Sequence, residues 1–321
     1  MMVDRGMSCA EVTLLLWGTG STRPSKDREH PCTVIKACRG ILLLDCGEGC
    51  QKVLNSMGVG HNEPLGILIS HLHGDHVLGV APLLQTLSLM GRSNPVFIIG
   101  PYGLREEGLG RWGEGTYPLN IVELTREAGT LELRIGSSFK LTYVRAYHAP
   151  FSYSFVLHFP PRVQLDPEKL ELAGIPPKLR GVLIEKGEVS YEGRTFTLGD
   201  FVRRIIPGAV IAYSGDTLPN PLFAAKAKHA DVMIHEATFA SDVPESMNVP
   251  HSTPTDAAET AAKARVKLLV LVHFSPRIKD LGKMAEEAKR IFPRVVLAKK
   301  GLKISVEVRV PRVFRLSEVP A

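Results

Sequence analysis

Short apolar runs bounded by Gly, Pro and charge open the chain, and residues 11–17, 32–37 and 41–45 read as three strands joined by hairpins. Across 48–57 and again across 77–90 the apolar positions recur at helical spacing, with a short apolar strand at 67–69 between them. Strands resume at 95–100, 120–124, 131–135, 139–147 and 153–159. From Pro160 to Asp200 the pattern changes: five prolines alternate with glycines, no long periodic stretch forms, and the segment reads as a loop-like arm projecting from the core. After Phe201 strands (210–213, 232–235, 267–273) alternate with helices (221–228, 254–264, 279–291), and further strands run to 310. Two halves that each mix strands with helices predict an α/β protein with two sheets stacked face to face and helices outside.

The strand at 67–69 runs into Ser70-His71-Leu72-His73-Gly74-Asp75-His76, so a dense set of ligand-type side chains sits at the carboxyl end of a strand. Alternate residues of an extended turn point the same way, which lets His71 and His73 grip one metal while Asp75 and His76 turn to a second. Imidazole and carboxylate suit Zn²⁺, and two ions need more ligands than this loop supplies. His148, Asp216 and His273 each follow an apolar strand and are the candidates to complete the set.

Composition narrows the class. The 321 residues carry 39 Lys+Arg against 33 Asp+Glu, a net charge of +6, with 44% hydrophobic and 22% charged residues, which are globular proportions. The basic excess permits a polyanionic partner without demanding one. No run approaches the about 18 apolar residues of a membrane span, and the first residues do not read as a signal peptide, so the expected location is the cytoplasm with no membrane partner. Cys9, Cys32, Cys38, Cys46 and Cys50 are odd in number and form no Cys-x-x-Cys pair, so they read as reduced, mostly buried thiols rather than a disulfide framework.

The ordered set His71-x-His73-x-Asp75-His76, His148, Asp216 and His273 resembles the metal-binding set of the metallo-β-lactamase superfamily. Gly18-Thr19-Gly20, Asp45-Cys46-Gly47-Glu48-Gly49-Cys50-Gln51, His235-Glu236-Ala237-Thr238 and His251-Ser252-Thr253 narrow the resemblance to the ribonuclease Z family of tRNA 3′-processing endonucleases. It implies a four-layer αββα sandwich over residues 1–321, with an exosite arm inserted at about 160–200. It further implies two Zn²⁺ per subunit, with Mn²⁺ able to substitute: His71, His73 and His148 on one ion, Asp75, His76 and His273 on the other, and Asp216 bridging. Asp75 would accept a proton from the attacking water, and His251, oriented by Glu236, would protonate the leaving 3′ oxygen. His251 stands just before a capping pattern, Thr253, Pro254 and Asp256, that predicts a helix start. Asp45 would orient one of the ligand histidines.

The resemblance also implies a precursor tRNA partner and a homodimer. Lys178, Arg180 and Lys186 of the arm, and Arg277 beyond His273, are the candidate phosphate contacts. The chain departs from the family where Lys178-Leu179-Arg180 replaces the usual Gly-Pro pair of the arm, and where Ile278 replaces an aromatic residue. Two other readings stand beside this one: a hydrolase of small phosphodiesters, thioesters or lactones on the same fold, and an RNA-binding protein that has lost catalysis.

Overall fold

The structure is a computed structural model, and it describes residues 11–37, 40–108, 111, 116–242, 249–307 and 313–318. The first described elements are three antiparallel strands, β1 (Glu11–Gly18), β2 (Cys32–Ala37) and β3 (Gly40–Leu44), as the sequence pattern predicts. It then alternates through α1 (Gln51–Ser56), β4 (Leu65–Leu68), α2 (Gly74–Val77), α3 (Val80–Leu89), β5 (Val96–Pro101) and β6 (Leu119–Leu124). A second unit starts with the antiparallel strands β7 (Ala128–Ile135), β8 (Ser137–Arg145) and β9 (Tyr153–Phe159).

The inserted segment follows: β10 (Arg162–Leu165), α4 (Pro167–Leu172), α5 (Pro177–Lys186), β11 (Glu188–Tyr191), β12 (Arg194–Thr197), α6 (Leu198–Phe201) and β13 (Val202–Ile206). Next come β14 (Ala209–Tyr213), α7 (Pro221–Lys226), β15 (Val232–Glu236), α8 (Pro254–Ala264), β16 (Leu268–Val272), α9 (Leu281–Lys289) and β17 (Val295–Leu297), before β18 (Leu302–Glu307) and β19 (Val313–Glu318) return to the first sheet.

One sheet has eight strands in the order β19-β18-β1-β2-β3-β4-β5-β6, the other seven in the order β17-β16-β15-β14-β9-β8-β7. Each sheet joins an antiparallel part to a parallel part, β3 to β6 in the first and β14 to β17 in the second. The period-2 alternation of the strands sorts side chains into layers. Leu14, Leu16, Leu42 and Leu44 join Val270 and Val272 in the core between the sheets, while Leu15, Trp17, Ile41 and Leu43 face α1 and α3. On the far side Leu269 and Leu271 pack under Ala257, Ala261 and Met284 of α8 and α9. Helix, sheet, sheet and helix therefore form four layers, the αββα sandwich of the metallo-β-lactamase fold. No helix among the described residues is long and apolar enough to cross a membrane.

Four expectations need correction. The predicted helix at 77–90 is two, α2 and α3, because the chain breaks at Gly79. A Cβ there would lie 1.9 Å from the carbonyl oxygen of Gly47, and the Gly79 N–H donates to Cys46 O at 2.9 Å. The segment from Pro160 is no loose loop: it holds its own apolar cluster of Leu170, Ile175, Leu183, Val189 and Phe201, and extends to Ile206, which pairs with Arg162. Because β9 and β14 are neighbours joined from Phe159 to Ala209, the segment leaves and re-enters the sheet at one place. Cys46 and Cys50 are joined as a disulfide across the turn between β3 and α1, where their Cα atoms lie 5.6 Å apart, while Cys32 is a buried free thiol as expected. Cys9 and Cys38 lie outside the described residues. The final strands reach beyond 310, to Glu318.

Candidate metal centre

Loops at the carboxyl ends of the parallel strands supply the site, the usual place for one in an open α/β sheet. Asp45 follows β3, His71 to His76 follow β4, Asp216 follows β14, Glu236 is the last residue of β15, and His273 follows β16. The register Glu236↔Val272 sets the last two side by side. His148 arrives from the other direction, in the turn between β8 and β9. A Cβ on Gly47 would lie 2.3 Å from the Asp75 carbonyl oxygen, so the bare backbone there lets the Asp45 turn press against the histidine loop. Asp45 (φ 56°) and His273 (φ 63°) both occupy the left-handed region, which costs a residue with a side chain about 1–3 kcal/mol and is sustained by the contacts each makes.

The donor atoms converge in two sets. In one, His73 Nδ1 lies 3.0 Å from His71 Nε2 and 3.1 Å from His148 Nε2, and Asp216 Oδ2 lies 3.7 and 3.9 Å from the latter two. In the other, His76 Nε2 and His273 Nε2 are 3.4 Å apart, each 3.5 Å from Asp75 Oδ2 and 3.3 Å from Asp216 Oδ2. Asp216 Oδ2 belongs to both. Four ligands at metal–ligand distances of about 2.0–2.2 Å around a tetrahedral ion stand about 3.3–3.6 Å from one another. The observed separations bracket that range.

Outside these sets, acceptors hold the other face of four imidazoles. His76 Nδ1–H donates to Asp45 Oδ2 at 2.7 Å, and His148 Nδ1–H to the Pro250 carbonyl at 2.9 Å. Ser70 Oγ donates to Asp45 Oδ2 at 2.8 Å, which turns its lone pairs to His71 Nδ1 at 3.0 Å. Thr238 Oγ1 stands 2.8 Å from His273 Nδ1. With these four Nδ1 atoms protonated, the four Nε2 atoms present lone pairs to the centre. Asp75 Oδ2 is buried there and makes no hydrogen bond. Converging lone pairs and an orphaned carboxylate oxygen fit a cation and little else.

Comparison with known proteins names the family. The ribonuclease Z of Ignicoccus hospitalis is 36% identical over 298 residues, spanning 90% of this chain and 96% of that protein. That of Aeropyrum pernix is 36% identical over 314 residues, spanning 94% and 100%. The chain belongs to the ribonuclease Z family. As a ribonuclease Z family member it is a ribonuclease-type hydrolase. A family model described as anti-Pycsar protein Apyc1 also matches residues 12–105. Among solved structures, the metallo-β-lactamase fold protein YhfI of Bacillus subtilis matches with a TM-score of 0.65 at 18% identity, covering 92% of this chain and 99% of that one. Human tRNase Z, short form, matches with a TM-score of 0.60 at 23% identity, covering 96% and 100%. Both share the fold.

Beside the two donor sets of this ribonuclease Z family chain lies a second pair singled out by the sequence. His251 Nδ1–H donates to Glu236 Oε1 at 2.9 Å, and its ring stacks on His273 with centroids 5.4 Å apart. Burial alone would lower the His251 pKa, but Glu236 overcomes it and holds it up at about 9. Asp216 is held well below the usual carboxylate range: burial opposes this, and His273 and His76 outweigh it. Burial, with His76 adding to it, pushes His71 well below 6.5 and keeps its imidazole neutral. Thr253 caps α8 in a capping box with Asp256, as predicted, fixing the loop that carries His251.

Lys178, Arg180 and Lys186 sit away from this cluster on α5 of the inserted segment, and Arg277 lies on the exposed turn after Ser275, whose Oγ accepts its backbone N–H at 3.3 Å. The sequence reading gave the hydroxyls of the site no role of their own. Ser70, Tyr213 and Thr238 bond the two buried carboxylates through their hydroxyls, and the one signal for them was adjacency: each lies within three residues of a ligand-type side chain.

Proposed function

We propose that this ribonuclease Z family chain is a zinc-dependent endoribonuclease. It removes the 3′ trailer of precursor tRNA just after the discriminator base, leaving a 3′-hydroxyl on the tRNA and a 5′-phosphate on the trailer. The observation that carries this reading is the pair of donor sets, one buried and one opening to the surface at His73, that meet at Asp216 Oδ2 next to a histidine that is not part of either.

His71, His73 and His148 would hold one Zn²⁺, Asp75, His76 and His273 the other, with Asp216 bridging. Zinc bound there supplies a nucleophile at neutral pH and draws charge from the phosphoryl oxygen under in-line attack. The rest of the chemistry belongs to the chain. Asp75 would take up the proton of the attacking water through the carboxylate oxygen that is not in the donor set. His251, protonated at neutral pH and bonded through Nδ1 to Glu236, keeps Nε2–H for the departing 3′ oxygen. Glu236 fixes the direction of that ring.

The reading takes residues 1–321 as one domain with the tRNA-binding arm inserted, working in the cytoplasm. Exposed Lys178 and Lys186 and half-buried Arg180 make the first phosphate contacts, and Arg277 binds a phosphate nearer the scissile bond. The working unit is a homodimer in which the arm of one subunit presents tRNA to the site of the other. Mn²⁺ can replace Zn²⁺.

The test is an end-labelled precursor tRNA with a 3′ trailer, incubated with Zn²⁺, Mn²⁺ or chelator, with both product ends mapped. Metal-dependent cleavage after the discriminator base is the expected result. Turnover of a small phosphodiester with the precursor untouched would move the substrate class to small molecules.

A further inference from the structure

The hydrogen bonds behind the site bring in Thr238, a residue that the chemistry above does not use. Glu236 is buried, and both its oxygens are engaged: Oε1 accepts the Thr217 N–H at 2.7 Å and His251 Nδ1–H at 2.9 Å, and Oε2 accepts the Thr238 hydroxyl at 2.6 Å. A threonine hydroxyl has one proton, and that bond takes it. The Thr238 oxygen therefore turns only lone pairs to His273 Nδ1 at 2.8 Å, and His273 must donate. Its Nε2 is then fixed as the bare nitrogen facing Asp75, His76 and Asp216. Backbone bonds hold the threonine in place, from the Thr238 N–H to Ser252 O at 3.1 Å and from the Ser275 N–H to Thr238 O at 3.0 Å.

We propose that the Thr238 hydroxyl is a positioning group that passes the negative charge of Glu236 to His273, so that one carboxylate governs both the proton-donating His251 and one corner of the second metal subsite. His273 is only 4% exposed, so without Thr238 its Nδ1–H has little access to water and no other acceptor among the described residues. Its preference for the Nδ1–H form then disappears, and Nε2 is no longer held as the bare nitrogen of the set. Loss of such an outer partner typically weakens metal affinity about 10–100-fold. Because the proposal rests on the site being a metal centre, its test reports on both.

Zn²⁺ retention is measured by titrating the holoprotein with a chromophoric chelator, for the native chain, Thr238→Val and Thr238→Ser, alongside precursor cleavage and thermal unfolding of the metal-free proteins. Valine matches threonine in shape, and serine keeps the hydroxyl. The expected result is that Thr238→Val surrenders one class of Zn²⁺ at about 10–100-fold lower chelator concentration while its metal-free form unfolds as the native chain does, and that Thr238→Ser retains metal as the native chain does. Equal retention in Thr238→Val would overturn the relay, as would a serine variant that behaves like valine, because the methyl group would then be what matters. A native chain that holds no Zn²⁺ would overturn the metal centre itself.

Discussion

Two buried carboxylates, one from each half of the molecule, organise the site in parallel and to different ends. Asp45, at the end of β3, accepts from the Ser70 N–H at 2.6 Å, the Ser70 hydroxyl at 2.8 Å, the Tyr213 hydroxyl at 2.6 Å and His76 Nδ1–H at 2.7 Å. Glu236, at the end of β15, accepts from Thr217, Thr238 and His251. Each holds one histidine directly and reaches a second through a hydroxyl, Ser70 for His71 and Thr238 for His273. The difference lies in where those histidines go. His71 and His76 belong to the two different donor sets, so Asp45 ties one set to the other with no exposed member. Glu236 holds one histidine within a set and one, His251, whose side chain is 16% exposed and lies outside both sets. The first half builds the centre; the second half also works at its surface.

The largest effect should come from Asp45→Ala, which strips the acceptor from His76 and, through Ser70, from His71. Zn²⁺ affinity should fall by at least about 100-fold, read by chelator titration, with cleavage lost in parallel. If this variant kept its metal and slowed only the chemistry, the contrast between the two carboxylates would be broken. His251→Ala should leave metal content unchanged and lower the single-turnover rate by about 10²–10⁴-fold, the usual scale for a lost general acid. Loss of metal in that variant would put His251 among the ligands.

Glu236→Gln sharpens the contrast through pH. Because Glu236 holds His251 at about 9, the protonated form that donates is present at neutral pH, and activity should decline as pH rises through that value. Glutamine carries no charge, so the alkaline limb should move to lower pH; an unmoved limb would remove Glu236 from control of the proton. The smallest effect belongs to the arm. Lys178→Ala with Arg180→Ala should raise KM for precursor tRNA, reduce the salt dependence of binding by a slope of about 2, and leave turnover of a small phosphodiester intact. Equal loss on both substrates would place these residues outside substrate binding.

Most of the sandwich was legible because its strands carry clean period-2 patterns or uninterrupted apolar runs, as in β3 and β16, and because α8 carries its capping box in plain view. The ligand-type residues were legible from their place just after such strands. The inserted segment was not, because its small cluster around Leu183 and Phe201 draws single residues from short elements spaced too irregularly to show a period. The disulfide was missed because the four-residue separation of Cys46 and Cys50 becomes a contact only when the turn after Asp45 folds back onto α1. The hydroxyl relays escaped for a different reason. Ser and Thr are common in any loop, and only the positions of Asp45 and Glu236 make Ser70 and Thr238 count.

The central claim, that two metal-holding sets joined at Asp216 cut the 3′ trailer from precursor tRNA, is tested most directly by cleavage of an end-labelled precursor with metal content measured on the same preparations. Asp75→Ala keeps the oxygen of Asp216 in place while removing the buried, unpartnered carboxylate oxygen of one set. The account predicts two Zn²⁺ per native chain with cleavage just after the discriminator base, and no detectable cleavage by Asp75→Ala. Native protein carrying two Zn²⁺ that leaves the trailer intact, or Asp75→Ala cutting at the native rate, would contradict it.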